Sequence, residues 1–173
     1  MKHNLRLSVF CLASLGLGLE ALAQDPVVGP QLRMSVDNAS NSGDETSGSA
    51  SADGLEVIGG FNDYRTDGTI KSSFGVTSNG GTTWAQVLVR PPVAQQSSVE
   101  GDPMACYDAR TNTLFAGAMS FAGNGGIYIA KKNPGVNTFG TSVMARTFGG
   151  VDKGWMCAGP VSYTHLDVYK RQP

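Results

Sequence analysis

The 173-residue chain sets 13 Lys and Arg against 14 Asp and Glu, for a formal net charge of −1, and it contains 23 glycines. A near-neutral chain lacks the electrostatic footprint of a nucleic-acid binder or of a protein held on an anionic membrane surface. Charged residues at 16% together with abundant glycine suit a turn-rich β protein better than a helical one.

The N-terminus reads MKHNLRLSVFCLASLGLGLEALAQ. Lys2 and Arg6 give a basic start, Leu7 to Leu19 is an apolar run too short to span a bilayer comfortably, and Ala21-Leu22-Ala23 is a small-x-small cleavage pattern. Residues 1–23 are therefore read as a secretory signal peptide. The mature chain is expected to be exported, periplasmic or extracellular, with no membrane span once the leader is removed. Phe10 before Cys11, and an apolar run that continues beyond it, argue against a lipid anchor.

Residues 24–51 are polar and rich in Ser, Gly, Asn and Ala, and are expected to be a mostly mobile segment, with Gly43 onward entering the folded part. Asn38-Ala39-Ser40 has the form of a glycosylation sequon and is given little weight beside what looks like a bacterial export leader.

From Leu55 the texture changes. LEVIGGF, IKSSFGVTS, AQVLV, MACY, TLFAGAMSF, GIYIAKK and TSVMARTF follow one another, separated by Gly, Asn, Asp or Pro clusters. That rhythm predicts many short antiparallel strands, and no apolar period of 3.6 is sustained for three turns. The fold class read from it is all-β.

The chain also repeats itself. GDETSGSASADGLEVIGGF from Gly43 lies over GDPMACYDARTNTLFAGAMSF from Gly101, and VDKGWMCAG offers a third start, with Asp152 in the role of Asp44 and Asp102. The offsets are roughly 50 to 60 residues, slightly longer than a usual four-stranded propeller blade. About four strand-like runs lie between successive starts, which is one blade's worth.

Inside the first repeat is TSNGGTTW, Thr77 to Trp84. It resembles the Asp-box, the bacterial neuraminidase repeat of sialidase-like β-propellers, Ser/Thr-x-Asp/Asn-x-Gly-x-Thr-Trp/Phe. Thr77, Asn79, Gly81, Thr83 and Trp84 fill its places, with Asn79 where Asp is commoner. A worn copy with one extra residue, NPGVNTF from Asn133 to Phe139, follows at the repeat spacing. Such a motif makes a hairpin turn: Asn79 accepts from following backbone N–H groups, Gly80-Gly81 supplies positive φ, and Trp84 re-enters the sheet as an apolar anchor between blades.

The resemblance implies that residues 52–160 are about two blades of an incomplete, six-bladed sialidase-like propeller. It implies for a sialidase an arginine cluster for the substrate carboxylate, an aspartate as acid/base and a Tyr nucleophile activated by a Glu. The family's early Phe/Tyr-Arg-Ile-Pro segment is missing, so no catalytic residue is assigned. Arg65, Asp63, Asp102 and Asp152 are the candidates for substrate binding. For Asp102 and Asp152 the competing reading is a turn cap; for Asp63 and Arg65 it is a structural ion pair or surface loop. The partners expected are glycans or cell-surface proteins, and the alternative function is a non-catalytic binding module. Whether the protein is an enzyme stays open.

The two histidines are His3 in the leader and His165 near the C-terminus, so Ser-His-Asp, Cys-His and His-based zinc arrangements are not expected in the rest, and no cofactor or metal is called for. Cys106 and Cys157 occupy nearly equivalent places in successive repeats, and both a disulfide and a pair of buried thiols are compatible with that. The ending VSYTHLDVYKRQP breaks the texture at Pro160. Val161 to Gln172 admit codons forming a perfect inverted repeat whose half resembles the mosaic end recognised by a library-preparation transposase. Residues 161–173 are therefore read as a sequencing artefact, with the true chain continuing past Pro160.

Overall fold

The computed structural model describes residue 34 and residues 43–64, 69–150 and 152–159. The leader, Arg65 and the C-terminal peptide lie outside the described residues. Among the described residues, eight strands form two four-stranded antiparallel sheets in simple meander order. The first blade holds β1 (Gly43–Ala50), β2 (Val57–Asp63), β3 (Lys71–Thr77) and β4 (Ala85–Leu88). The second holds β5 (Glu100–Asp108), β6 (Thr113–Ser120), β7 (Gly126–Lys132) and β8 (Val143–Thr147). One 3₁₀ turn, Val93–Gln95, lies on the connection between them. Among the described residues no helix is long and apolar enough to cross a membrane.

The fold is thus all-β, two successive propeller-type blades. Strand alternation sends Ile58, Phe74 and Val76 of the first blade against Leu114, Ala116, Ala118, Tyr128 and Ala130 of the second. Small residues on β6 and large ones on β3 let the sheets interdigitate. Gly60 serves this contact: a Cβ there would come within 2.7 Å of the Phe74 ring and 2.8 Å of Pro103.

Polar locks border the apolar layer. The buried Tyr128 hydroxyl donates to the Val89 carbonyl at 3.0 Å, and the Ser142 hydroxyl donates to the Arg90 carbonyl at 2.5 Å. Lys71, almost wholly buried, donates to Thr69 Oγ1 at 2.8 Å and to the carbonyls of Ser97 and Ser98 at 3.0 Å each, which fixes the connection to the sheet. A parallel bridge between Ile70 and Val99 stitches the blades at the start of β5.

Strand β1 is drawn from the polar stretch. Gly43–Ala50 begins at the residue from which the sequence reading has the chain entering the folded part, and it pairs with β2 on both sides of a bulge. Its small polar side chains suit an inner strand that packs beside β5, where the two blades are closest.

Candidate functional site

The inner strands begin alike. Each carries a β-bulge close to its start, between Asp44 and Ser47 in β1 and between Gly101 and Met104 in β5. Each bulge holds an acidic residue in the left-handed region, Glu45 at φ 50° and Asp102 at φ 55°. Non-glycine residues seldom adopt that conformation, and bulges re-aim side chains. The bulges correct the repeat alignment by one residue: Asp102 corresponds to Glu45, and Asp44 to Gly101. The sequence overlay put Asp44 on Asp102 because it had no means of counting the extra bulge residue.

Asn62, at the end of β2 and buried, bridges the two bulges. Its Nδ2 donates to Glu45 Oε2 at 3.1 Å, and its Oδ1 accepts from the Asp102 backbone N–H at 3.0 Å. Gly101 leaves room for it, since a Cβ there would stand 3.0 Å from Asn62 Oδ1. The Glu45 and Asp102 carboxyls are near enough to interact. Burial, then the polar interaction with Glu45 and the Glu45 charge, push Asp102 up to about 6, whereas the interaction with Asp102 holds Glu45 below its ordinary value. Tyr64 completes the rim; burial and the neighbouring Asp44 carboxylate push its phenol up.

The other candidates fall in different places. Asp63 is buried within the first blade, accepting from Ser73 Oγ at 2.5 Å and Gln86 Nε2 at 3.2 Å, which ties β2 to β3 and β4. Asp152 is exposed and accepts from the Lys153 N–H at 2.8 Å, while its charge and that of Lys153 reach Glu45 and Asp102. Arg65 lies outside the described residues. The structure therefore brings together Asp102 with Glu45, Asn62, Tyr64, Asp44 and the Asp152-Lys153 pair. Asn62 was not singled out in the sequence, because an Asn following GGF reads as an ordinary turn residue. Among the described residues no group of His, Cys, Asp and Glu is arranged to hold a metal ion.

The Thr77–Trp84 turn lies between the third and fourth strands of its blade, away from these carboxylates. The Thr77 hydroxyl donates to Asn79 Oδ1 at 2.8 Å and accepts from the N–H groups of Asn79 at 3.2 Å and Gly81 at 3.1 Å. Asn79 Oδ1 accepts from the Thr83 N–H at 3.0 Å, and Gly80 and Gly81 take φ 64° and 84°. Trp84 is half-buried, its indole N–H shielded without a hydrogen-bond partner among the described residues. The worn copy sits at the matching place, before β8. There Lys132 and the Gly135 N–H both engage Glu56 of the first blade, so an inter-blade carboxylate holds this turn. Phe139 closes it against Phe74, ring centroids 6.1 Å apart.

No protein-family model matches the chain, and no curated protein does. Among solved structures it is similar to one titled Hadza microbial sialidase Hz136, at 13% identity and a TM-score of 0.44. That likeness covers 56% of this chain and 24% of the other, so the chain spans about a quarter of that protein's length.

The carboxyl pair gives a pH prediction. Asp102 titrates near 6 in the folded chain and near 3.8 when unfolded. Between those values the folded state holds the extra proton, so stability falls as pH rises through the window, and the loss is complete above about 6. Glu45 works oppositely at lower pH: its lowered value gives stability above its unfolded value near 4.5 that is lost on acidification. Asp102→Asn should remove the loss, since an amide donates to Glu45 without a proton and Asn tolerates positive φ. Because Asp102 is half-exposed, solvent screening limits the gain to about 1 kcal/mol. Urea midpoints at pH 4 to 7 should fall for the parent and stay flat for the variant; parallel profiles would refute the raised titration of Asp102.

Proposed function

We propose that the protein is an exported, sialidase-like β-propeller protein that binds glycans at the end of its inner strands. The observation that carries the reading is the pair of equivalent bulges, which present Glu45 and Asp102 side by side with Asn62 between them. Carboxylate oxygens accept from sugar hydroxyls, an amide both donates and accepts, and the Tyr64 ring at the rim offers an apolar face for a pyranose. The Asp-box resemblance of Thr77–Trp84 supports the scaffold, and its distance from the carboxylates makes its role structural. A fold alone does not determine activity.

The exposed side of the second blade supports a propeller with further blades. Phe115, Ile129, Val136 and Val143 line an open apolar cavity of about 510 Å³, with Val143 62% exposed. Phe115 and Ile129 alternate with the residues that pack on the first blade, which puts them where a third blade would lie. Closed propellers have four to eight blades.

A hydrolytic reading has one observation in its favour. A carboxyl titrating near 6 is a serviceable general acid at mildly acidic pH, and Asp102 is such a group. A glycan array, followed by titration of the best ligand against the parent and Asp102→Asn, tests binding; Asp102→Asn should weaken it at least about tenfold. No glycan bound at millimolar concentration would end the glycan reading. A fluorogenic sialoside in the same samples separates binding from hydrolysis, and protein recovered from the periplasm or medium should begin at Gln24.

A further inference from the structure

We propose that Cys106 and Cys157 form a disulfide that fastens residues 152–159 to the inner strand of the second blade. The geometry rests on β5. Its residues alternate: Ala105 and Tyr107 pack on the core shared with the first blade, so Met104, Cys106 and Asp108 face the opposite way. Residues 152–159 run along that opposite side, parallel to β5 and in step with it. Near its start, Pro103, Met104 and Ala105 border a cavity together with Lys153, Gly154, Trp155 and Met156. Farther along, Cys106 and Asp108 border the next one together with Met156, Cys157, Ala158 and Gly159. Contact is close at the first point, since a Cβ on Gly154 would stand 2.8 Å from Met104 Sδ.

The two cysteines therefore border a single cavity of about 340 Å³, lined otherwise by Asp108, Phe115, Ile129, Met156, Ala158 and Gly159. Both are thiols in the structure, Cys106 buried and Cys157 exposed. Residues 152–159 belong to no strand, so no ladder hydrogen bonds must break for Cys157 to approach Cys106. The exposed Cys157 is reached first and the buried Cys106 second, which assigns the order of events; burial, and then the Cys157 charge, also push the Cys106 thiol up. Cys157, exposed, attacks a small disulfide donor as thiolate, forming a mixed disulfide and releasing one donor thiol. Cys106 then loses its proton and attacks the Cys157 sulfur, forming the internal bond and releasing the second donor thiol. The protein loses two electrons and two protons, and the donor disulfide is reduced to two thiols.

That such a donor meets the protein in its own compartment rests on the export reading, so two samples are needed. In the first, the reduced, purified full chain is incubated with oxidised glutathione, blocked with an alkylating agent, and mapped as non-reduced peptides. The expected result is a linked pair of peptides containing Cys106 and Cys157, preceded by a glutathione adduct on Cys157. In Cys106→Ser the adduct should persist, and closure should speed up with rising pH as the Cys106 thiol ionises. Glutathione retained on Cys157 of the parent, or a link from either residue to Cys11, would overturn the proposal. The second sample is protein recovered from cells without reductant. A Cys106–Cys157 link there supports both readings. Linkage in the first sample beside free thiols in the second would uphold the pairing and refute export to an oxidising compartment.

Discussion

Phe74→Ala is expected to cost about 3–5 kcal/mol of folding stability, the range for removing a buried aromatic side chain. Phe74 has no exposed surface, and it stands where the two blades share one apolar layer. Val87 is its cross-strand neighbour in the first blade, and Phe139 tilts against it from the second at 54°. Gly60 is tailored to its ring. The cavity left by the ring would not close easily, because its rim is pinned by Tyr128 on Val89, by Ser142 on Arg90 and by the Glu56 contacts to Lys132 and Gly135. Phe74→Leu keeps most of the volume and should cost about 1–1.5 kcal/mol. Equilibrium denaturant unfolding of the full chain reads both values. A loss below about 1 kcal/mol for the alanine variant would mean that the blades do not depend on a common core.

The strands of that core are also the most legible part of the sequence. VIGGF, SSFGV, TLFAGAMS and GIYIA alternate or run apolar for the right length, and each ends in a Gly, Asn or Asp turn signal. The polar strand GDETSGSA has no such pattern. It becomes β1 because its backbone pairs with β2 and its small side chains fit beside β5, a tertiary preference that overrides local propensity. The glycines of β2 and β3 carry a related message: Gly59 and Gly75 pair across the strands, and a Cβ on either would collide with Met34. A residue from the polar N-terminal stretch thus covers the outer side of the first blade, which no periodicity in that stretch announces.

The sequence singled out Asp102 and Asp152 of the candidate site and left Glu45 and Asn62 hidden. Asp102 stands out because Gly-Asp recurs at a repeat start. Glu45 does not, because the bulge shifts the structural match by one position, and a bulge residue has no sequence signature short of a glycine. Asn62 becomes meaningful only when β1 and β5 are side by side, with the chain positions of its two partners 17 and 40 residues away. The same reasoning applies at the worn turn: Lys132 reads as an ordinary strand-end cation until Glu56, 76 residues earlier, is placed against it.

The second large effect is expected at Glu100, where β5 begins. Its side chain has no exposed surface, and its carboxylate accepts three hydrogen bonds: from Arg90 Nε at 2.9 Å, from Arg90 Nη2 at 2.8 Å and from the Ser97 N–H at 2.9 Å. The two-pronged Arg contact is the strong form of the interaction, and it closes the connection between the blades onto the first strand of the second. Glu100→Ala deprives Arg90 of both bonds and leaves the Ser97 N–H without its acceptor, while the backbone of residue 100 still pairs with Ile70 and Ser120. Removing one member of a buried pair costs about 3–5 kcal/mol, and the 35% exposure of the Arg90 side chain lets water take up part of the loss, so the low end near 3 is expected. Glu100→Gln keeps one acceptor oxygen and should lose less than half as much. Salt discriminates the mechanism: a pair shielded from solvent is screened little, so the difference between parent and Glu100→Ala should change little between dilute buffer and about 1 M salt. If that difference collapses at high salt, the pair behaves as a surface contact and the closure of the connection must be assigned to Lys71 instead.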